Sequence, residues 1–211
     1  MKSIFQRYYR KYDAWYDQNR FAFLSELAAI KKALPKNGKG LEIGVGTGRF
    51  AAALGITTGI DPSKNMVMIA RKRGVDARVG YGEHLPFENS SFDYAAIIVT
   101  ICFVCDPQRV LREAGRVLKK NGKVIIGIVD KQSFLGKFYQ KRAGIFYKQA
   151  NFFSVSDIRG LLKAAGFNRF SYKQTIFQMP GEIHSVQKPA NGFGRGGFVV
   201  ISATPSREQR T

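Results

Sequence analysis

The chain has 211 residues, 45% of them hydrophobic, enough for one domain with a sizeable core and marginal for two. Its 34 basic and 15 acidic residues leave a net charge of +19, which either favours polyanionic partners and acidic substrates or is simply a basic soluble surface, and does not bear on fold. Two cysteines, Cys102 and Cys105, exclude a disulfide framework and make a reducing cytoplasm the default setting, and no apolar run approaches the ~18 residues of a membrane span.

The N-terminal segment MKSIFQRYYRKYDAWYDQNR lacks the apolar core and cleavage site of a secretory signal, and Asp13 and Asp17 spoil its likeness to a transit peptide. It reads as part of the fold. Residues 1–36 have helical periodicity: Phe5, Tyr8, Tyr9, Tyr12 and Tyr16 would form one aromatic stripe, and a second helix spans Leu24 to Leu34, ending at Pro35 and the turn KNGKG. Strands and helices then alternate. GLEIGV is a short buried strand, Arg49 to Leu54 starts a helix, and GITTGID (Gly55 to Asp61) is a second strand. PSKNMVMIARKRG is a helix with Pro62 near its first turn and Gly74 at its end. VDARVG is a third strand, SFDYAAIIVTICFV contains a fourth, DPQRVLREAGRVLKK is a helix, and the nearly all-apolar GKVIIGIVD is a fifth strand buried on both faces. This alternation predicts a doubly wound parallel sheet. Beyond Asp130 the rhythm changes to a basic, aromatic stretch (Lys131 to Phe153), the helix SVSDIRGLLKAAG and two strands, RFSYKQTIF and GGFVVISATP, joined by a long glycine-bearing loop. With no repeat and no linker the chain is expected to be one domain: a helical cap (1–36), a core (37–130), a substrate-side lid with closing strands (131–195), and a last strand with a tail (196–211).

The segment LEIGVGTGRF places Gly44, Gly46 and Gly48 at alternate positions behind the first strand. Glycine there lets the backbone turn sharply and approach a ligand, and a helix N-terminus follows whose free N–H groups suit an anion. A dinucleotide fingerprint, G-x-G-x-x-G, would need a glycine at position 49, where Arg49 stands. Asp61 ends the second strand and so shares the carboxyl-end rim, where parallel sheets bind ligands. Its carboxylate suits the two hydroxyls of a ribose. A helix N-cap is the structural alternative.

Four segments in order carry a resemblance: Leu41 to Phe50, Asp61, GEHLPFENSSFDYA and REAGRVLKKNGKV. Together they resemble class I S-adenosylmethionine-dependent methyltransferases, specifically the broad small-molecule family with an LPF…SFD segment before its fourth strand. The likeness covers residues 1–130 well and the rest in outline, where GFNRF and two strands are similar to the family's closing hairpin. It implies a doubly wound, mostly parallel seven-stranded sheet with an antiparallel last strand and an N-terminal helical lid. It also implies S-adenosyl-L-methionine as cofactor, with Gly44, Gly46 and Gly48 beside its methionine part and Glu42 near its ammonium group. Glu42 as a purely structural acid at a strand end is the alternative. By position Asp61 takes the ribose, Pro62 and Met66 pack adenine, and Gly82 and Glu83 run along the adenine edge. Thr100, Ile101 and Cys102 face the methyl-bearing sulfur, and Tyr12 and Trp15 belong to the lid, with core packing as their alternative. Tyr81 stands where the family usually has an aspartate for the adenine amino group.

Methyl transfer from a sulfonium depends chiefly on alignment and water exclusion, so it leaves little catalytic signature in sequence. His84, His184 and Asp130 are candidate bases, none compelling, and no catalytic residue is assigned. Cys102 and Cys105 form a C-x-x-C without further zinc ligands, so no metal is expected. Basic residues interleaved with aromatics in GKFYQKRAGIFYKQANFF suit either a lid over a small acceptor or a grip on nucleic acid. The Asn/Asp-Pro-Pro-aromatic tetrapeptide of amino-directed base methylation is missing. A small N, O or S nucleophile is therefore the expected acceptor, with RNA or protein methylation and non-catalytic cofactor binding as alternatives. Neither a membrane role nor an oligomeric state is indicated.

Overall fold

The computed structural model describes residues 4–142 and 144–206. The start of the expected cap and the end of the expected tail lie outside the described residues. Two helices open the chain, α1 (Ile4–Gln18) and α2 (Arg20–Ala33). The aromatic positions of α1 do not form one stripe. The helix kinks at Tyr8, Tyr9 bonds to Arg10 instead, and only Phe5, Tyr12 and Tyr16 pack edge to face along one side. The second helix starts at Arg20, four residues ahead of the expected Leu24, because Asn19 breaks the helical backbone just before it.

From residue 40 the chain alternates as the apolar pattern dictates: β1 (Gly40–Ile43), α3 (Arg49–Leu54), β2 (Thr58–Asp61), α4 (Lys64–Lys72), β3 (Asp76–Val79), β4 (Phe92–Ile98), α5 (Pro107–Val117) and β5 (Leu118–Val129). Strands β1 to β5 pair in parallel in the order β3-β2-β1-β4-β5. The order reverses between β1 and β4, which opens a crevice at their carboxyl ends. Helix α5 was expected to reach Lys120. It stops at Val117 because Leu118 is extended, fully buried and paired with Phe92 across a register shift.

The remaining elements are α6 (Phe134–Lys141), a 3-10 turn (Tyr147–Gln149), α7 (Val155–Ala164), β6 (Phe167–Thr175), β7 (Ala190–Asn191) and β8 (Phe198–Pro205). Strand β8 inserts between β5 and β6, antiparallel to both. The sheet has eight strands, not seven, because the two residues of β7 pair antiparallel with the outer side of β6. That short pairing has no apolar periodicity, and side-chain bonds from Gln174 and Lys173 to Asn191 help to hold it.

Alternating side chains feed two apolar layers. Ile98, Ile125 and Val200 face α1, α2 and α3, whereas Ile97, Ile126, Val199 and Ile201 face α5 and α7. The LPF and REAGRV segments meet on the second side. Glu113 accepts the N–H of Leu85, and Arg116 donates to the carbonyls of Leu85 and Phe87 while paired with Glu113 at 2.7 Å. These residues fix the loop ahead of β4 against α5.

Candidate active site

Gly44, Gly46 and Gly48 all have left-handed backbone, with φ of 75, 52 and 78°, which only glycine adopts without strain. Their surroundings differ. A Cβ on Gly44 would lie 2.1 Å from Thr100, and one on Gly48 would lie 2.9 Å from the Ala70 backbone. One on Gly46 would meet only the Tyr12 ring, at 3.7 Å. Two of the glycines thus serve close packing within the protein, and Gly46 presents bare backbone toward α1.

Two acids lie beneath this turn. Glu42 is 1% exposed, and its Oε2 has no hydrogen-bond partner. Burial pushes its carboxyl well above the ordinary glutamate range against a backbone hydrogen bond from Ala51, and nearby Asp61 adds to the rise. Asp61 bridges the turn and the end of β2: its Oδ2 accepts the N–H of Gly46 at 3.0 Å and its Oδ1 that of Ser63 at 2.8 Å. Burial raises its pKa to about 6 against those two bonds. The N-cap of α4 is Ser63, which accepts the Met66 N–H. Asp61 is therefore left to organise the loop, and Pro62 precedes the cap.

The other residues expected around the cofactor fall on the same rim with distinct environments. Met66 is buried and Pro62 exposed. Gly82 packs so tightly on Ile43 and Val110 that a Cβ would clash. The Glu83 carboxylate accepts the N–H groups of Cys105 and Asp106, which ties the 82–83 segment to the start of α5. Tyr81 is largely exposed. Thr100 donates to the Gly44 and Ile98 carbonyls and so locks the end of β4 to the glycine turn. It follows Val99, whose φ of 50° strains a β-branched residue. The Ile101 side chain is fully buried in the layer beneath α5, so only its backbone can face the rim.

Helix α1 is clamped over this turn by charges. Asp13 accepts from Arg49, from Arg73 and from Thr47, at 2.9, 2.8 and 2.5 Å, and Asp17 takes the other side of Arg49. Burial opposes ionisation of Asp13, yet the hydrogen bonds from Arg49, Arg73 and Thr47 hold its carboxyl well below the usual range. Gln6 adds a second anchor through Ser63 and Asn65.

Beyond the turn, a cavity of about 590 Å³ lies between α1, α2, the end of β4 and the segment following β5. Tyr12, Trp15, Phe138, Tyr139, Phe146 and Tyr147 contribute aromatic wall, and Val99 and Cys102 lie at its edge. Sequence reasoning missed one residue here. Glu26, on α2, is 5% exposed and lines the cavity, and burial raises its pKa to about 8. A signal was present: Ala22, Glu26, Ala29 and Ala33 share one buried helical stripe.

The candidate bases lie elsewhere. His84 is exposed beside Arg109, and His184 is exposed in the loop before β7. Asp130 is buried; its Oδ1 accepts the N–H of Gln132 and its backbone carbonyl that of Ser133, ahead of α6. Burial pushes the Cys102 thiol up to about 12, which disfavours a thiolate. Among the described residues no group of metal-binding side chains occurs.

A methyltransferase domain model matches residues 41–126, from β1 into β5. A crystal structure of an S-adenosylmethionine-dependent methyltransferase of Thermotoga maritima, described as a possible histamine N-methyltransferase, superposes with a TM-score of 0.93. It is 50% identical, over 95% of this chain and 97% of that one. A Methanocaldococcus jannaschii protein of uncharacterized function is 45% identical over 95% of this chain and 98% of its own. The demethylmenaquinone methyltransferase of Staphylococcus aureus is 30% identical over 94% and 84%. The chain belongs to the class I S-adenosylmethionine-dependent methyltransferases: it is an enzyme, S-adenosylmethionine is its cofactor, and a methyl acceptor is its second substrate. The residues fit that cofactor, because a buried carboxylate oxygen without a partner suits an ammonium group and bare backbone at Gly46 leaves room beside it.

Proposed function

We propose that the chain methylates a small-molecule N, O or S nucleophile bound in the aromatic cavity. The observation that carries this reading is the cavity itself. At about 590 Å³ it falls within the range of small-ligand sites, and it adjoins the glycine turn through Tyr12, which lies nearest Gly46. The two named relatives, whose names refer to demethylmenaquinone and to histamine, support a small acceptor. When bound, the cofactor supplies a methyl group on a sulfonium sulfur that loses its positive charge on transfer. In this reading Glu42 holds the ammonium group of the cofactor. The backbone at Gly44, Gly46 and Gly48 borders its methionine part, and Asp61 accepts from the ribose hydroxyls. Pro62, Met66, Gly82 and Glu83 border adenine, while Thr100 and the Ile101 backbone border the sulfur. Tyr12 and Trp15 roof the site and exclude water while the cavity aligns the acceptor. Two free cysteines accord with a reducing, cytoplasmic setting, and among the described residues no helix is long and apolar enough to cross a membrane.

Incubation with methyl-labelled cofactor and panels of amines, phenols, thiols and structured RNA tests the reading. Label is expected in a small acceptor. Label confined to RNA would overturn it.

A further inference from the structure

We propose that Glu26 is the acceptor-binding residue of the cavity and that the acceptor is an amine, bound as its ammonium ion and relieved of one proton by the carboxylate before methylation. This rests on the small-molecule reading above. Glu26 lines an otherwise largely aromatic wall and is only 5% exposed, and among the described residues no hydrogen bond or ion pair ends on its carboxyl. Proteins seldom leave a buried carboxyl unpaired, because its desolvation costs more than most single contacts return. An unpaired acid aimed into a cavity is therefore a site awaiting a donor.

The neighbours of Glu26 do not fill that role. Tyr12 and Tyr16, from α1, share a hydrogen bond of 2.7 Å with each other. Tyr139, from α6, stacks on Tyr147 at 4.3 Å. The cations that line the cavity, Lys11 and Arg142, are exposed, and Arg142 lies over the Phe138 ring at 5.6 Å. The cavity thus has an acid inside and cations at its exposed edge. An ammonium group offers several N–H donors to the carboxylate, and its charge is favoured by the surrounding aromatic faces. An alcohol offers one weaker donor, and a carboxylate is repelled.

Proton bookkeeping follows from the burial. Tyr12, Tyr16 and Tyr139 face Glu26, and burial raises all three far above neutrality, so they stay uncharged. Glu42 acts on Tyr12 and Tyr16 from β1 and, in the proposed reading, is matched by the cofactor ammonium in the loaded enzyme. With a pKa near 8, empty Glu26 is mostly protonated at pH 7. Binding of an ammonium ion then expels up to one proton to solvent, and this release fades as pH rises past 8. Within the bound pair one N–H bond breaks and one O–H bond forms on Glu26. The N–H bonding pair stays on nitrogen as the lone pair that takes the methyl group. The product is a methylammonium ion, and the Glu26 proton passes to water.

Calorimetry on the protein saturated with S-adenosylhomocysteine tests this. The titrants are phenylethylamine, tyramine and tryptamine with their alcohol and carboxylate analogues, in phosphate and in Tris at pH 7. At least one amine is expected to bind well ahead of its analogues, with release of a proton. In E26Q the amine should bind about 10- to 100-fold more weakly without proton release, while S-adenosylhomocysteine affinity and melting temperature hold. Amine affinity and proton release unchanged in E26Q would overturn the proposal. Methylation of an alcohol or carboxylate analogue without amine binding would overturn it and leave the small-molecule reading standing. Silence across the panel, with label entering only RNA, would overturn both.

Discussion

Asp61 already holds two backbone N–H groups, so its removal acts on the loop as well as on the ribose contact proposed for it. D61A is expected to weaken S-adenosylhomocysteine binding about 10- to 100-fold by calorimetry, as loss of charge-assisted bonds worth roughly 1.5–3 kcal/mol implies. Burial raises its pKa to about 6 in the empty protein, and ribose hydroxyls donate best to the ionised form. Affinity should therefore rise as pH climbs through about 6, and D61N should flatten that step. The glycines separate by what a methyl group would meet. G44A and G48A force contacts at 2.1 and 2.9 Å, whereas G46A meets Tyr12 at an ordinary 3.7 Å. Thermal melts should show G46A losing only about 1–2 kcal/mol of left-handed strain and the other two losing more. The glycine turn was legible because left-handed backbone restricts the choice of residue. The distinct duties of its members were not, since the atoms that crowd Gly44 and Gly48 come from positions 100 and 70. Glu26 escaped notice because a single acid in an apolar helix looks solvated until the wall opposite it is known.

Helix α1 depends on charges more than on its aromatic residues suggest. Asp13 gathers Thr47, Arg49 and Arg73, none within 30 residues of it in sequence. Hence the clamp could not be read from the N-terminal segment, where Asp13 and Asp17 look like ordinary surface acids. Hydrogen bonding to the charged form depresses the Asp13 pKa. Its stabilisation is therefore fully present above the usual carboxylate range and is lost only as pH falls well below it. D13A should cost about 1–3 kcal/mol, roughly 2–4 °C in melting temperature per kcal/mol for a chain of this size. Limited proteolysis should then cut α1 first. Equal protection of α1 in D13A would remove the clamp from the account. The alternation of β1 to β5 with helices was legible from apolar runs bounded by turns. The boundary at Leu118 and the two-residue β7 were not, because both are set by pairing partners far along the chain.

At the scale of the molecule, the charge of +19 and the cavity point to different partners. Charge acts at long range and is screened by salt, while an aromatic cavity wall discriminates at contact. RNA binding, measured by filter retention, should therefore fall steeply between 50 and 200 mM salt, as phosphate contacts require. Tight binding that persists at the higher salt would point to a built nucleic-acid site. The fold was legible almost entire; the acceptor was not, because its cavity is assembled from segments scattered between Lys11 and Gly181. Tyr12 borders the bare backbone of Gly46 and also walls the cavity. In the proposed reading one helix is thus the ceiling of two adjoining rooms, and a visitor to the inner one is sealed in when the outer is entered. Turnover should then run in sequence, donor in first and spent donor out last, giving S-adenosylhomocysteine inhibition competitive with the donor and noncompetitive with the acceptor. Exchange of the spent donor while the acceptor stays seated would show that the ceiling is no gate.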